Sequence, residues 1–168
     1  FHINNKPRFI RRSRGYVPEP IHCESIAATP ILAMGSDLKN AFALNKGNEI
    51  LMGPHIGDLE NASTHETLEW TINRYENLFS IEPNRIIVDS HPQFFSSHLG
   101  EHIGASSQIP VVTIQHHHAH IASVMAEHNL IGPVLGIAMD GTGYGLDGTI
   151  WGGEFLLCKG NQYQRLAH

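Results

Sequence analysis

Between Ser63 and Gln115 the chain switches twice from helical periodicity to a short β-branched apolar run, and this alternation restricts the fold more than any other feature. "STHETLEWTINRYENLFS" sets Leu68, Ile72, Tyr75 and Phe79 on one helical stripe and begins with Ser63 and Glu66 at capping-box spacing. "RIIVDSHP" reads as a short buried strand ending in polar residues and "QFFSSHLGEHI" as a helix. "IPVVTIQ" is a second buried strand, leading into a histidine-rich helix. Upstream, "PILAMGSDLKNAFALNKGNEILMGP" alternates apolar runs with "GSD" and "NKGN", the turn chemistry of consecutive antiparallel strands near 30–35, 40–45 and 49–53. "VLGIAMD" and "TIWGGEFLLC" supply the last two strands. Antiparallel strands followed by alternating helices and strands predict an α/β domain, a mixed sheet with flanking helices.

Composition narrows the function classes. With 41% hydrophobic residues the chain can bury a core, and it has no run of about 18 apolar residues and no basic segment followed by an apolar one. A cytoplasmic setting is expected, with no membrane partner. A formal charge of −5 argues against double-stranded nucleic acid, whose phosphates reward clustered Lys and Arg. The one basic cluster is "RFIRRSRG", followed by Pro18 and Pro20, which favour extended structure and read as a linker. Cys23 and Cys158 lie far apart without partner spacing, so buried free thiols are expected. The chain starts at Phe1 rather than Met and "NQYQRLAH" opens a further strand, so both ends are expected to be cuts in a longer protein.

"TIQHHHAHIASVMAEH" carries the chemistry. His116 and His120, four residues apart, lie about 40° apart around a helix and one turn along it, so both imidazoles can reach one metal ion. The spacing is that of the zincin pair, but the Glu that follows the first His there is missing, which disfavours metallopeptidase chemistry. Gln115 ends a strand, so the helix starts near His117 and the pair sits where open α/β sheets place ligands. A third ligand should come from the next strand, and Asp140 fits if "VLGIAMD" neighbours "IPVVTIQ". In a chain with 13 histidines the cluster can also simply cap or cover a helix start, as expected of His117 and His118.

"DGTGYGLDG", Asp140 to Gly148, lies between two strands and offers backbone amides and Thr142 to a phosphate. It is neither a P-loop nor a dinucleotide fingerprint, and a plain hairpin turning at Gly141 and Gly148 is the bland alternative. "GSDLKN", Gly35 to Asn40, is either a second phosphate-facing hairpin or an ordinary polar turn.

In this order, "RRSRGYVP", "GSDLKNAFAL", "PHIGDL", "DSHP", "QHHHAHIASVMAEH" and "DGTGYGLDGTIWGGE" resemble the HypF family, the carbamoyltransferases of nickel–iron hydrogenase maturation. The resemblance implies that residues 1–20 are the tail of a YrdC-like domain, 21–29 a linker, and 30–168 the first half of a carbamoyl-transferring domain. It implies that the whole domain has an actin/Hsp70-like ATPase fold of two subdomains, of which this chain holds one. It implies that carbamoyl phosphate and ATP give carbamoyl adenylate, whose carbamoyl group passes to the C-terminal cysteine of a HypE-type partner on the way to cyanide. It also implies iron or zinc on His116, His120 and Asp140. Lys39, Asn40, Gly141, Thr142 and Gly143 are the expected adenylate contacts, with Arg14 and Gly15 facing the YrdC-like site.

No residue is assigned as catalytic. The resemblance implies that the rest of the family's domains, and a further acidic metal ligand, lie outside this chain, so the piece alone is expected to be inactive. The alternatives are a non-catalytic metal- or nucleotide-binding module, and an O-carbamoyltransferase or tRNA threonylcarbamoyl transferase relative.

Overall fold

The computed structural model describes residues 2–3, 5–7, 16–26 and 28–168. A short hairpin, β1 (His2–Ile3) with β2 (Lys6–Pro7), precedes β3 (Ile21–His22), β4 (Ile31–Ala33), β5 (Ala43–Lys46) and β6 (Glu49–Met52). Helix α1 (Ala62–Phe79), β7 (Arg85–Asp89), α2 (Phe95–Ser107), β8 (Val111–Ile114) and α3 (His116–Glu127) follow, and β9 (Val134–Tyr144), β10 (Ile150–Lys159) and β11 (Gln162–Ala167) end the chain. The first sheet has the order β3-β6-β5-β4-β7-β8, antiparallel from β3 to β4 and parallel across β4, β7 and β8. This is the α/β architecture with a mixed sheet and flanking helices that the sequence predicts.

Helix α1 keeps its predicted stripe. Leu68 and Ile72 are buried in a core with Leu32, Phe42 and Leu44, and Tyr75 and Phe79 pack at its edge. Full burial of a side chain such as Leu68 contributes about 1.5–3 kcal/mol. The cap differs from the expected Ser63–Glu66 box. Asn61, in extended conformation, accepts the Thr64 N–H at 3.1 Å and the Ser63 hydroxyl at 2.7 Å. Asn is as good an N-cap as Ser, so the helix begins two residues earlier than that box implies, at Ala62.

The second difference is larger. Strand β9 does not join β8 as expected. It pairs antiparallel with β10 in a separate three-stranded sheet of order β11-β10-β9. Gly136 and Ala138 face inward, and α3 lies so close to β9 that a Cβ at Gly136 would fall 2.5 Å from Ile121. Ile121 and Met125 of α3, Trp151, Leu156 and Cys158 form this sheet's own core. Leu135, Ile137 and Met139 alternate onto its outer face and are exposed. Both Cys23 and Cys158 are free and buried, as expected.

Glu154 on β10 is 1% exposed and receives two hydrogen bonds from Arg165 of β11, Nε to Oε2 at 2.6 Å and Nη2 to Oε1 at 2.9 Å. The Arg165 guanidinium, which also lies 4.1 Å over the Trp151 ring, holds the Glu154 carboxyl below its ordinary range. A carboxylate whose pKa is depressed by folding stabilises the fold above its unfolded value near 4.5 and loses that stabilisation as pH falls through the folded value. Denaturant unfolding of Glu154→Gln should therefore show a deficit at pH 7 that shrinks as the pH drops below about 4.5. A deficit unchanged at low pH would contradict this.

Candidate metal centre

Strands β4, β7 and β8 run parallel and end on the same side, at Ala33, Asp89 and Ile114. A cavity of about 410 Å³ opens there, floored by Ala33, Ile87 and Ile114 and edged by Ser36, Lys39, Asp89, His116, His120 and Ser123. This is the carboxyl-end location typical of ligand sites in open α/β sheets.

Helix α3 starts at this edge because Gln115 caps it, its Oε1 accepting the His118 N–H at 2.9 Å. The four histidines then divide. His116 and His120 face the cleft, with His120 Nε2 and His116 Nε2 3.2 Å apart. His117 and His118 turn inward and are 0% and 4% exposed, so neither is the surface cover expected of them. His118 Nε2 lies 3.2 Å from the Gly160 carbonyl and its ring lies against Tyr163, fixing α3 to the β10–β11 turn.

Asp140 reaches the pair although β9 is not beside β8, because α3 packs on β9 and carries the histidines to it. The β9–β10 register shifts between Trp151 and Gly153, whose partners are Gly143 and Met139, so β9 bulges through Asp140, Gly141 and Thr142. Bulges re-aim side chains. Gly141 therefore belongs to a bulge and not to the expected turn, and the strand continues to Tyr144 before a tip that turns at Gly148 (φ 76°). Asp140 Oδ2 lies 3.2 Å from His116 Nε2 and 3.9 Å from His120 Nε2.

The ligand atoms of His116, His120 and Asp140 all lie within 4.8 Å of one another. Ligands about 2.0–2.2 Å from a tetrahedral zinc stand about 3.2–3.6 Å apart, close to this triangle. Asp140 Oδ2 is buried and accepts no hydrogen bond, which is the state of an atom shaped for a cation. His116 is prepared as a ligand: its Nδ1–H donates to Asp89 Oδ2 at 2.6 Å, which fixes the tautomer and leaves Nε2 free to ligate. The same Asp89 contact, with a lesser contribution from Asp140, holds the His116 imidazole above its ordinary range.

Asp89 was not among the predicted site residues. Its only trace in the sequence is an acid at the end of a buried strand, in "DSHP".

Of the predicted nucleotide contacts, Lys39 edges the cavity. Asn40 is 1% exposed, and its amide donates to the Met34 and Ser36 carbonyls, bracing the loop from within. Gly141, Thr142 and Gly143 do not line the cavity, and Arg14 and Gly15 lie outside the described residues. Asp37, from the same loop, accepts the Phe95 and Ser96 N–H groups at 2.7 and 2.9 Å and so caps α2 instead of facing a ligand.

Residues 27–127 match the family model described as the HypF Kae1-like domain, and residues 136–168 match that of the carbamoyltransferase Kae1-like domain, second subdomain. Carbamoyltransferase HypF of Synechocystis sp. is 45% identical over 99% of this chain and 21% of its own length. Carbamoyltransferase HypF2 of Cupriavidus necator is 42% identical over 96% of this chain and 20% of its own. The chain thus spans about one fifth of these relatives. The crystal structure of full-length HypF in the phosphate- and nucleotide-bound form superposes with a TM-score of 0.89 at 44% identity, over 95% of this chain and 21% of that one. YeaZ from Pseudomonas aeruginosa, 10% identical with a TM-score of 0.58 over 83% of this chain and 65% of its own, shares the fold alone.

Proposed function

Because the chain belongs to the HypF family, we propose that it is the metal-binding segment of a carbamoyltransferase that serves nickel–iron hydrogenase maturation. In this reading carbamoyl phosphate and ATP give carbamoyl adenylate, and the carbamoyl group passes to the C-terminal cysteine thiolate of a HypE-type partner in the cytoplasm. Among the described residues no helix is long and apolar enough to cross a membrane.

The observation that carries the proposal is the convergence of His116, His120 and Asp140 at the edge of a cavity on the carboxyl ends of three parallel strands. These three side chains hold a divalent iron or zinc ion, which supplies Lewis acidity to a carbonyl or phosphoryl oxygen. The chain's own residues set the geometry. Asp89 orients His116, and Lys39, which lines the cavity, supplies a positive charge that attracts an anionic phosphate. Asn40 keeps the Lys39 loop in shape. Backbone amides beyond Asp140 remain the proposed contacts for departing AMP.

Residues 1–20 are proposed as a YrdC-like tail and 21–29 as a linker. From residue 30 on, the transferase domain comprises a lobe built on β4 to β8, to which Ile21–His22 of the linker adds the edge strand β3, and, from β9, the opening of a second lobe.

A graft tests the proposal. This chain replaces the matching segment of the Synechocystis relative, and mass spectrometry reads carbamoylation of the partner's C-terminal cysteine. Transfer is expected with the grafted segment and is expected to disappear with His116→Ala/His120→Ala. Equal transfer by both grafts would reject the metal-dependent reading.

A further inference from the structure

His117 is the most completely buried titratable side chain beside the cleft, and none of the roles above uses it. Its surroundings fix its protonation. Gln115 Oε1 accepts the His118 N–H, so the other end of the amide is NH₂, and this donates to His117 Nδ1 at 2.9 Å. An amide NH₂ cannot accept a hydrogen bond, so Nδ1 carries the lone pair and the proton sits on Nε2.

The Nε2–H has no hydrogen-bond partner although the residue is 0% exposed. It points toward another orphan. Asp140 Oδ2 lies 3.9 Å away, buried and accepting nothing, while Asp140 Oδ1 is engaged by the Gly141 N–H at 2.7 Å. A buried donor and a buried acceptor that face each other just beyond hydrogen-bond length form a pair that a small rotation of the carboxylate completes.

The chain holds the ring in place from behind. A Cβ at Gly143 would lie 2.4 Å from His117 Cε1, so only glycine fits there, and the Trp151 ring closes a further side. The close approach of this imidazole accounts for a glycine at the third position after Asp140.

We infer that His117 is a positioning residue of the metal site: its Nε2–H is the donor that orients the Asp140 carboxylate toward the ion held with His116 and His120. The inference rests on the reading that these three residues bind a metal. Outer hydrogen-bond partners of this kind change metal affinity about ten- to hundredfold when removed.

The test is a Co(II) titration of the whole chain, read by visible absorption, on the parent, His117→Phe and His117→Gln. Phe keeps a ring of similar shape without the donor, whereas Gln places an N–H near the Nε2 position. The expected result is Co(II) binding weakened about ten- to hundredfold in His117→Phe and largely restored in His117→Gln. Equal affinity in the parent and a folded Phe variant overturns the inference and leaves the metal reading intact. Gln binding as weakly as Phe overturns it in favour of ring packing. No Co(II) binding by the parent overturns the metal reading and the inference together. Imidazole ¹⁵N NMR of the unaltered chain tests it without a variant. An Nε2–H tautomer whose signal moves on adding Zn(II) is expected, and an Nδ1–H tautomer or an unmoved signal would reject it.

Discussion

The His116→Ala/His120→Ala variant is expected to lose its metal while remaining folded. Elemental analysis after anaerobic purification should find about one ion per parent chain and background in the variant, because two of the three ligand atoms are gone and Asp140 alone cannot hold a divalent ion. Folding should survive. His120 is exposed, and His116 packs at the cleft rather than in either apolar core. Equal metal in both proteins would place the ion elsewhere. Negligible metal in both would overturn the reading of these three residues as a metal site of this chain.

The second large effect is expected at Asp89. Its Oδ2 accepts the His116 Nδ1–H, and its Oδ1 accepts the His91 N–H at 2.8 Å, so one carboxylate both ends β7 and aims the first ligand. Asp89→Ala frees the His116 ring to rotate or change tautomer, and competition titration with a chromophoric chelator should show metal affinity about ten- to hundredfold weaker. Asp89→Asn keeps an acceptor oxygen but no charge, so it should fall between parent and Ala. An Asn variant as weak as Ala would mean that charge, not orientation, is what Asp89 supplies.

Much of this was legible in the residues, for physical reasons that also mark where legibility stops. Periodicity is local, so the α1 stripe and the strands at β5, β7 and β8 could be read from spacing alone. Strand pairing is not local. Nothing in "VLGIAMD" distinguishes a neighbour of β8 from the first strand of another sheet, and the expected route to Asp140 was wrong although the residue itself is brought to the pair. The tertiary contact that brings it there is Gly136 against Ile121, two residues unremarkable in sequence.

Site residues divide in the same way. His116 and His120 announce themselves by helical spacing. Asp89 does not, since it meets His116 only once β7 and β8 lie parallel with Asp89 opposite Ile114. Asn40 looked like a ligand contact because it sits in a polar turn, but its burial turns its amide toward the loop's own carbonyls. Of the glycines after Asp140, Gly141 lies in a bulge and Gly143 lies against an imidazole, packing roles that the spacing alone does not reveal.

The two sheets share no hydrogen-bonded strand, yet the carboxylates on either side of His116 come one from each: Asp89 from β7 and Asp140 from β9. His116 therefore ties the two sheets together through one imidazole, and an ion on its Nε2 would be coupled through that ring to the Asp89 contact on the other sheet. Thermodynamic linkage makes this reciprocal: whatever strengthens the Asp89–His116 contact tightens the ion, and the ion favours that contact by the same factor.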